Sequence, residues 1–199
     1  SPKIKSLEKK EYTYEVIAEG INQPWGMDFI ESEKFLVTEK SGKLLLVENS
    51  LKTEVSGLPN VYVRGQGGLL DVAIHPDFKK NNLIYLTLGT NIEGDTGGNT
   101  ALYQAKLVDY TLDNLKLLYK ATPNTKKAQH WGSRIVFDDD GHIFFTIGDR
   151  GNRDLNPQDL SRDGGKVYRL NLDGSIPDDN PFVSNKMKTK KAIYSFGHR

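Results

Sequence analysis

Apolar positions in this chain fall in short runs that alternate with polar residues or stay apolar throughout. Gly, Asp, Asn and Pro punctuate them, and no run keeps a helical spacing over several turns. Such a pattern predicts strands. Tyr12–Ala18 alternates and reads as the first. Trp25–Ile30, Phe35–Glu39 and Lys43–Glu48 follow as a meander with a turn at Ser41-Gly42. Gly68–Ile74 and Leu83–Gly89 flank a turn begun by His75-Pro76-Asp77, and Ala101–Leu107 and Leu115–Lys120 follow the Gly-rich stretch 94–99. Ile135–Phe137 and Ile143–Ile147 are joined by Asp140-Gly141, a strong hairpin signal because Gly supplies the positive φ of a tight turn. Gly165–Leu170 and Ala192–Phe196 are the last strands.

The same grammar recurs: strand, turn, strand, longer loop, strand. Met27–Ile30, Val72–His75 and Ile135–Asp138 hold equivalent places in it, and Ala192–Phe196 reads as the opening of a fourth unit. Repeated units of short antiparallel strands predict an all-β protein of the β-propeller kind, with about three and a half blades in this chain. A Greek-key sandwich shares the hairpin signals and is the competing architecture. Residues 1–11 are rich in Lys and Glu and read as a flexible arm. Residues 12–199 read as one partial propeller domain, cut before closure and belonging to a longer protein.

Composition adds limits. The 199 residues carry 27 Lys+Arg against 26 Asp+Glu, so no overall field favours nucleic acid. Lys186, Lys188, Lys190 and Lys191 form a short basic run that reads as a solvated loop. The chain has no cysteine, which removes disulfides, thiolate metal sites and a cysteine nucleophile. No apolar run approaches the roughly 20 residues of a membrane-spanning helix.

Three places carry candidate chemistry. Arg64–Leu70 sets Gln66 among glycines that permit close backbone approach to a ligand, leaving the amide free to donate and accept. It lacks the Lys-Ser/Thr ending of a phosphate loop. His130, after Gln129 and just before a strand, titrates near neutrality and can take a proton from an alcohol. Arg199, after His198, can stabilise a developing alkoxide or an anionic cofactor. His75 and His142 read as structural. Asp138–Asp140 is a turn. Asp149–Asp154 has some features of a calcium loop but carries Leu160 where the closing Glu would stand, so no metal ligands are assigned.

In this order the strings resemble the soluble quinoprotein sugar dehydrogenases, the glucose and aldose sugar dehydrogenases that use pyrroloquinoline quinone (PQQ). The matching stretches are Gly65–Phe78, His130–Arg134 with Thr146–Asp149, Gly165–Phe182 and Gly197–Arg199. The aldose branch is the more similar. The resemblance implies a six-bladed β-propeller that oxidises the C1 hydroxyl of an aldose to the lactone, passing hydride to PQQ. It implies His130 as general base, Gln66 as a substrate contact, and Arg199 as a catalytic and quinone-binding residue. Gln129 stands where the glucose enzymes have an Asp, so it is expected to touch substrate differently and to remove a carboxylate that could support imidazolium. Ca²⁺ ligands and most quinone contacts are expected after residue 199. An external electron acceptor, no nucleic-acid partner and a periplasmic or secreted location also follow. A non-catalytic propeller that binds a sugar or a protein is the alternative, and a lactone hydrolase is a third reading.

Overall fold

The computed structural model describes residues 11–92 and 96–199. They form three four-stranded antiparallel sheets. The first runs β1 (Pro24–Glu31), β2 (Lys34–Glu39), β3 (Lys43–Glu48), β4 (Leu51–Val55) in chain order. The second runs β5 (Leu69–Ile74), β6 (Leu83–Thr90), β7 (Asn99–Val108), β8 (Thr111–Lys120), with one helical turn, α1 (Phe78–Asn81), between β5 and β6. The third is β9 (Ile135–Phe137), β10 (His142–Ile147), β11 (Lys166–Asn171) and β12 (Ile193–Phe196). The leading strands β1, β5 and β9 adjoin one another in space, so the sheets fan out like blades.

Packing between blades explains why some strands alternate and others are apolar throughout. β6, in the middle sheet, is covered on both faces. Ile84, Leu86 and Leu88 enter a core shared with Leu36, Leu44 and Leu46 of the first sheet. Tyr85, one residue out of phase, enters a second core with Ile143, Phe145, Tyr168 and Ile193 of the third sheet. A period of two therefore serves two cores at once.

Threonines knit the inner strands together. Thr38 accepts from Gly26 N within its own sheet and donates to Leu70 O of the next. Thr87 repeats the arrangement, accepting from Asp71 N at 3.0 Å and donating to Ser133 O at 2.9 Å. Asp71, also buried, takes Arg134 Nη1 and Ile135 N, each at 2.9 Å, on its two oxygens. Its burial pushes the carboxyl up from its ordinary value, against the pull of those donors.

Three sequence expectations change, and one strand was not foreseen. Tyr12–Ala18 forms no strand: Tyr14 is 94% exposed, and alternation without a neighbouring edge has no ladder to join. β4 had no signal, because it is a mostly exposed outer strand with only Val55 buried. Ala192–Phe196 does not open a fourth unit. Its strand, β12, pairs with β11 and completes the third sheet, so the described residues hold three sheets and not three and a half. Lys190 and Lys191 are not freely solvated, since Lys190 bonds Thr122 Oγ1 at 2.6 Å and Lys191 bonds the carbonyls of Phe182 and Asn185. The arm expected over 1–11 lies, apart from Glu11, outside the described residues. His75 is structural as expected: Nδ1 accepts from Asp77 N, and the ring stacks on Tyr85.

Candidate active site

The β9–β10 hairpin pairs Ile135 with Phe145, Val136 with Phe144 and Phe137 with Ile143. Continued outward past the strands, that register sets Gln129–Trp131 opposite Asp149–Gly151. The chains do meet there, with Arg150 N donating to His130 O at 3.4 Å. Gly148 makes the approach possible, because a Cβ at that position would stand 2.3 Å from the His130 carbonyl oxygen.

His130 Nδ1 lies 2.6 Å from Asp149 Oδ1. Asp149 is 1% exposed and the imidazole 28%. An ionised Asp149 accepts the Nδ1 proton, which leaves the Nε2 lone pair as the basic position. No described residue hydrogen-bonds Nε2. Gly151 N also donates to Asp149 Oδ1, at 2.7 Å, while Asp149 Oδ2 is buried without a protein partner. His130 itself sits at φ 56°, a left-handed conformation that persists only where its surroundings impose it.

Gln66 is brought to His130, although not as a free amide. Its Oε1 accepts from His130 N at 2.8 Å, which fixes the amide and leaves Nε2 without a partner among the described residues. The neighbouring glycines serve the protein's own chain. Trp131 lies against Gly67, where a Cβ would stand 2.2 Å from the indole, so the close approach is to the His130 loop and not to a ligand. Gln129 turns its Oε1 onto Ala128 N at 3.2 Å and packs beside Gly151, with Nε2 unbonded. Arg199 makes no hydrogen bond or ion pair with the described residues, and none ties it to His130. The backbone leading to it is placed nonetheless: Gly197 N donates to Pro157 O and His198 N to Gly165 O.

Asp149 and Arg150 are the residues that sequence reading missed as part of the site. The expected loss of a carboxylate support, inferred from Gln129, is reversed by Asp149, which reaches the imidazole from the far side of the hairpin. The hairpin register is the signal that would have found it. Asp149 is fixed in turn by Asn156, whose Nδ2 donates to Asp149 O at 3.0 Å. Lys166, 1% exposed, donates to Asn156 O and to Gly164 O. Among the described residues no three His, Asp or Glu side chains gather for a metal.

Burial pushes the Lys166 ammonium down to about 8 from an ordinary 10.5, against the pull of Asp163 and Asp159. Below about pH 8 both folded and unfolded chains carry the charge, and its burial cost is constant. Between about 8 and 10.5 the folded chain sheds the proton first, so the unfolded chain binds more protons and stability rises with pH. Urea titrations at pH 7, 8.5 and 10 are therefore expected to show the wild type gaining stability relative to Lys166→Met as pH rises. A gap independent of pH would refute this.

Three face-packed antiparallel sheets, with an imidazole–carboxylate pair on the loops at the end of an inner strand, define a β-propeller protein. The chain belongs to the Glucose / Sorbosone dehydrogenase family, whose sequence model matches residues 21–199. It is 33% identical over 190 residues to Aldose sugar dehydrogenase YliI of Escherichia coli (strain K12), a match covering 93% of this chain and 50% of that protein. It is 34% identical over 218 residues to Quinoprotein glucose dehydrogenase B of Acinetobacter calcoaceticus, covering 92% of this chain and 44% of that protein. The PQQ-bound form of Aldose Sugar Dehydrogenase from Streptomyces coelicolor superposes with a TM-score of 0.78 at 26% identity, over 93% of this chain and 53% of that one. The chain thus spans about half the length of the relatives it matches.

Proposed function

We propose that this chain supplies the proton-accepting part of an aldose dehydrogenase that oxidises the C1 hydroxyl of a cyclic sugar to the lactone. The observation that carries the proposal is the 2.6 Å contact between His130 and buried Asp149, which leaves Nε2 open. Nε2 takes the hydroxyl proton as the C1–O bond becomes a carbonyl and the C1 hydrogen leaves as hydride. Asp149 favours the resulting imidazolium. PQQ, when bound, supplies the two-electron acceptor for that hydride, and an external acceptor then takes the electrons.

The residues present fit that chemistry. Nε2 of Gln66 and Nε2 of Gln129 are amide donors without partners among the described residues, suited to sugar oxygens. The Arg199 guanidinium, without an ion pair among the described residues, is suited to a quinone carbonyl and the reacting oxygen. Its backbone is tied to Pro157 and Gly165 of the loop between β10 and β11, which also carries Asn156, bonded to Asp149 O. No helix among the described residues is long and apolar enough to cross a membrane. The resemblance to quinoprotein dehydrogenases supports a periplasmic or secreted location.

The test is reduction of an artificial dye by aldoses, in the protein extended to its relatives' length and supplied with PQQ and Ca²⁺. Aldose-dependent reduction with lactone as product is expected. Sugar binding without dye reduction would replace this reading with a non-catalytic sugar-binding propeller.

A further inference from the structure

The loop that carries His130 is held almost atom by atom. Arg150 Nη2 donates to Lys127 O at 3.1 Å, Nη1 donates to Gln129 O, and Arg150 N reaches His130 O. Ala128 O accepts from Gln66 N at 2.9 Å and from Trp131 Nε1 at 3.0 Å. One side chain, Arg150, thus binds alternate carbonyls of the loop, and its guanidinium lies 3.5 Å from the centroid of the Trp131 ring.

Arg150 is also costly. It is 0% exposed, its Nε has no hydrogen-bond partner among the described residues, and no described carboxylate lies within ion-pair distance. Burying a charge without a contact ion pair costs desolvation, which the bonds to Lys127 O and Gln129 O and the longer-range attraction of Asp149 offset in part. Its geometry gives it a further use: a planar fork reaches the two alternate carbonyls from separate nitrogens while its flat face stacks on the indole, a combination that an apolar chain lacks and a compact ammonium has no flat face to match.

We propose that Arg150 is a positioning residue for the reaction, fixing the His130 backbone so that Nδ1 meets Asp149 and Nε2 faces the sugar. The inference rests on the reading of His130 as the base. Asp149 and Arg150 are adjacent, so one dipeptide grips both parts of His130: Asp149 takes the imidazole and Arg150 the main chain. Displacing a reacting group by about 1 Å can cost on the order of 100-fold in rate, which sets the expected scale.

The experiment uses the protein at its relatives' length, as wild type, Arg150→Met and Arg150→Lys. Two quantities are read: kcat and KM for an aldose, and the downfield proton NMR signal of the His130 Nδ1 proton, assigned by its absence in His130→Gln. Folded Arg150→Met is expected to lose roughly 10–100-fold in kcat, with KM changed less than about threefold and the signal lost. Arg150→Lys is expected to restore neither, because an ammonium cannot reproduce the fork. If Arg150→Met does not fold, Arg150→Lys carries the same two readouts. Wild-type kcat in a folded variant, or a fallen kcat with the signal intact, would overturn the proposal. If His130→Ala kept full turnover, the functional reading would fail instead, and the NMR signal would still decide whether Arg150 places the imidazole.

Discussion

His130→Ala, made in the protein at its relatives' length, is expected to lower turnover on aldoses by about 10²–10⁴, the range for losing a general base. The loss should fall on kcat, because the alanine leaves in place the amides of Gln66 and Gln129 that are proposed to meet the sugar. The backbone bond from His130 N to Gln66 Oε1 does not depend on the imidazole, so the loop has reason to persist. Asp149→Asn is the informative companion. It keeps the volume but removes the charge that favours imidazolium, so kcat should fall while KM stays within a few-fold. Steady-state kinetics on folded variants decide the matter: unchanged turnover in His130→Ala would remove the histidine from the mechanism, whatever the role of the fold.

The second large effect is on stability. Asp163→Ala is expected to cost about 3–5 kcal/mol, read as a lowered urea midpoint. Asp163 is fully buried and gathers three donors: Tyr119 Oη at 2.6 Å, Thr122 N at 2.7 Å and Lys190 Nζ at 3.1 Å. Removing the carboxylate leaves the Tyr119 hydroxyl and the Thr122 N–H buried without acceptors, whereas the partly exposed Lys190 can turn to water. It also removes the anion that offsets the burial of Lys166, so Asp163→Ala and Lys166→Met should couple and not simply add. Asp163→Asn should rescue only part of the loss, since an amide must present N–H to at least one existing donor. A cost below about 1 kcal/mol would mean that water reaches these groups and that the contact is not structural.

Both predictions rest on polar groups whose partners are distant in sequence, and this separates what could be read early from what could not. Strands such as Phe35–Glu39, Leu83–Gly89 and Ile143–Ile147 were legible because a period of two is a local property of the backbone. The Asp140-Gly141 turn was legible for the same reason. Tyr12–Ala18 misled because alternation announces two faces but not the edge to pair with, and β4 was silent because an outer strand buries little. β12 was recognised as a strand yet assigned to the wrong sheet, since pairing belongs to the assembled chain.

By itself, the sequence determined an all-β meander of short strands, the hairpin after His130, and the candidates Gln66, Gln129, His130 and Arg199. Tertiary structure alone decided that Asp149 backs the imidazole, that Gln66 spends its oxygen on the His130 backbone, that the glycines admit Trp131, and that Arg150 lies buried beneath the loop. The physical reason is one of range. Side-chain periodicity follows from φ and ψ at each residue. A hydrogen bond between groups 19 or 64 positions apart exists only once strand register and sheet packing have brought them within 3 Å.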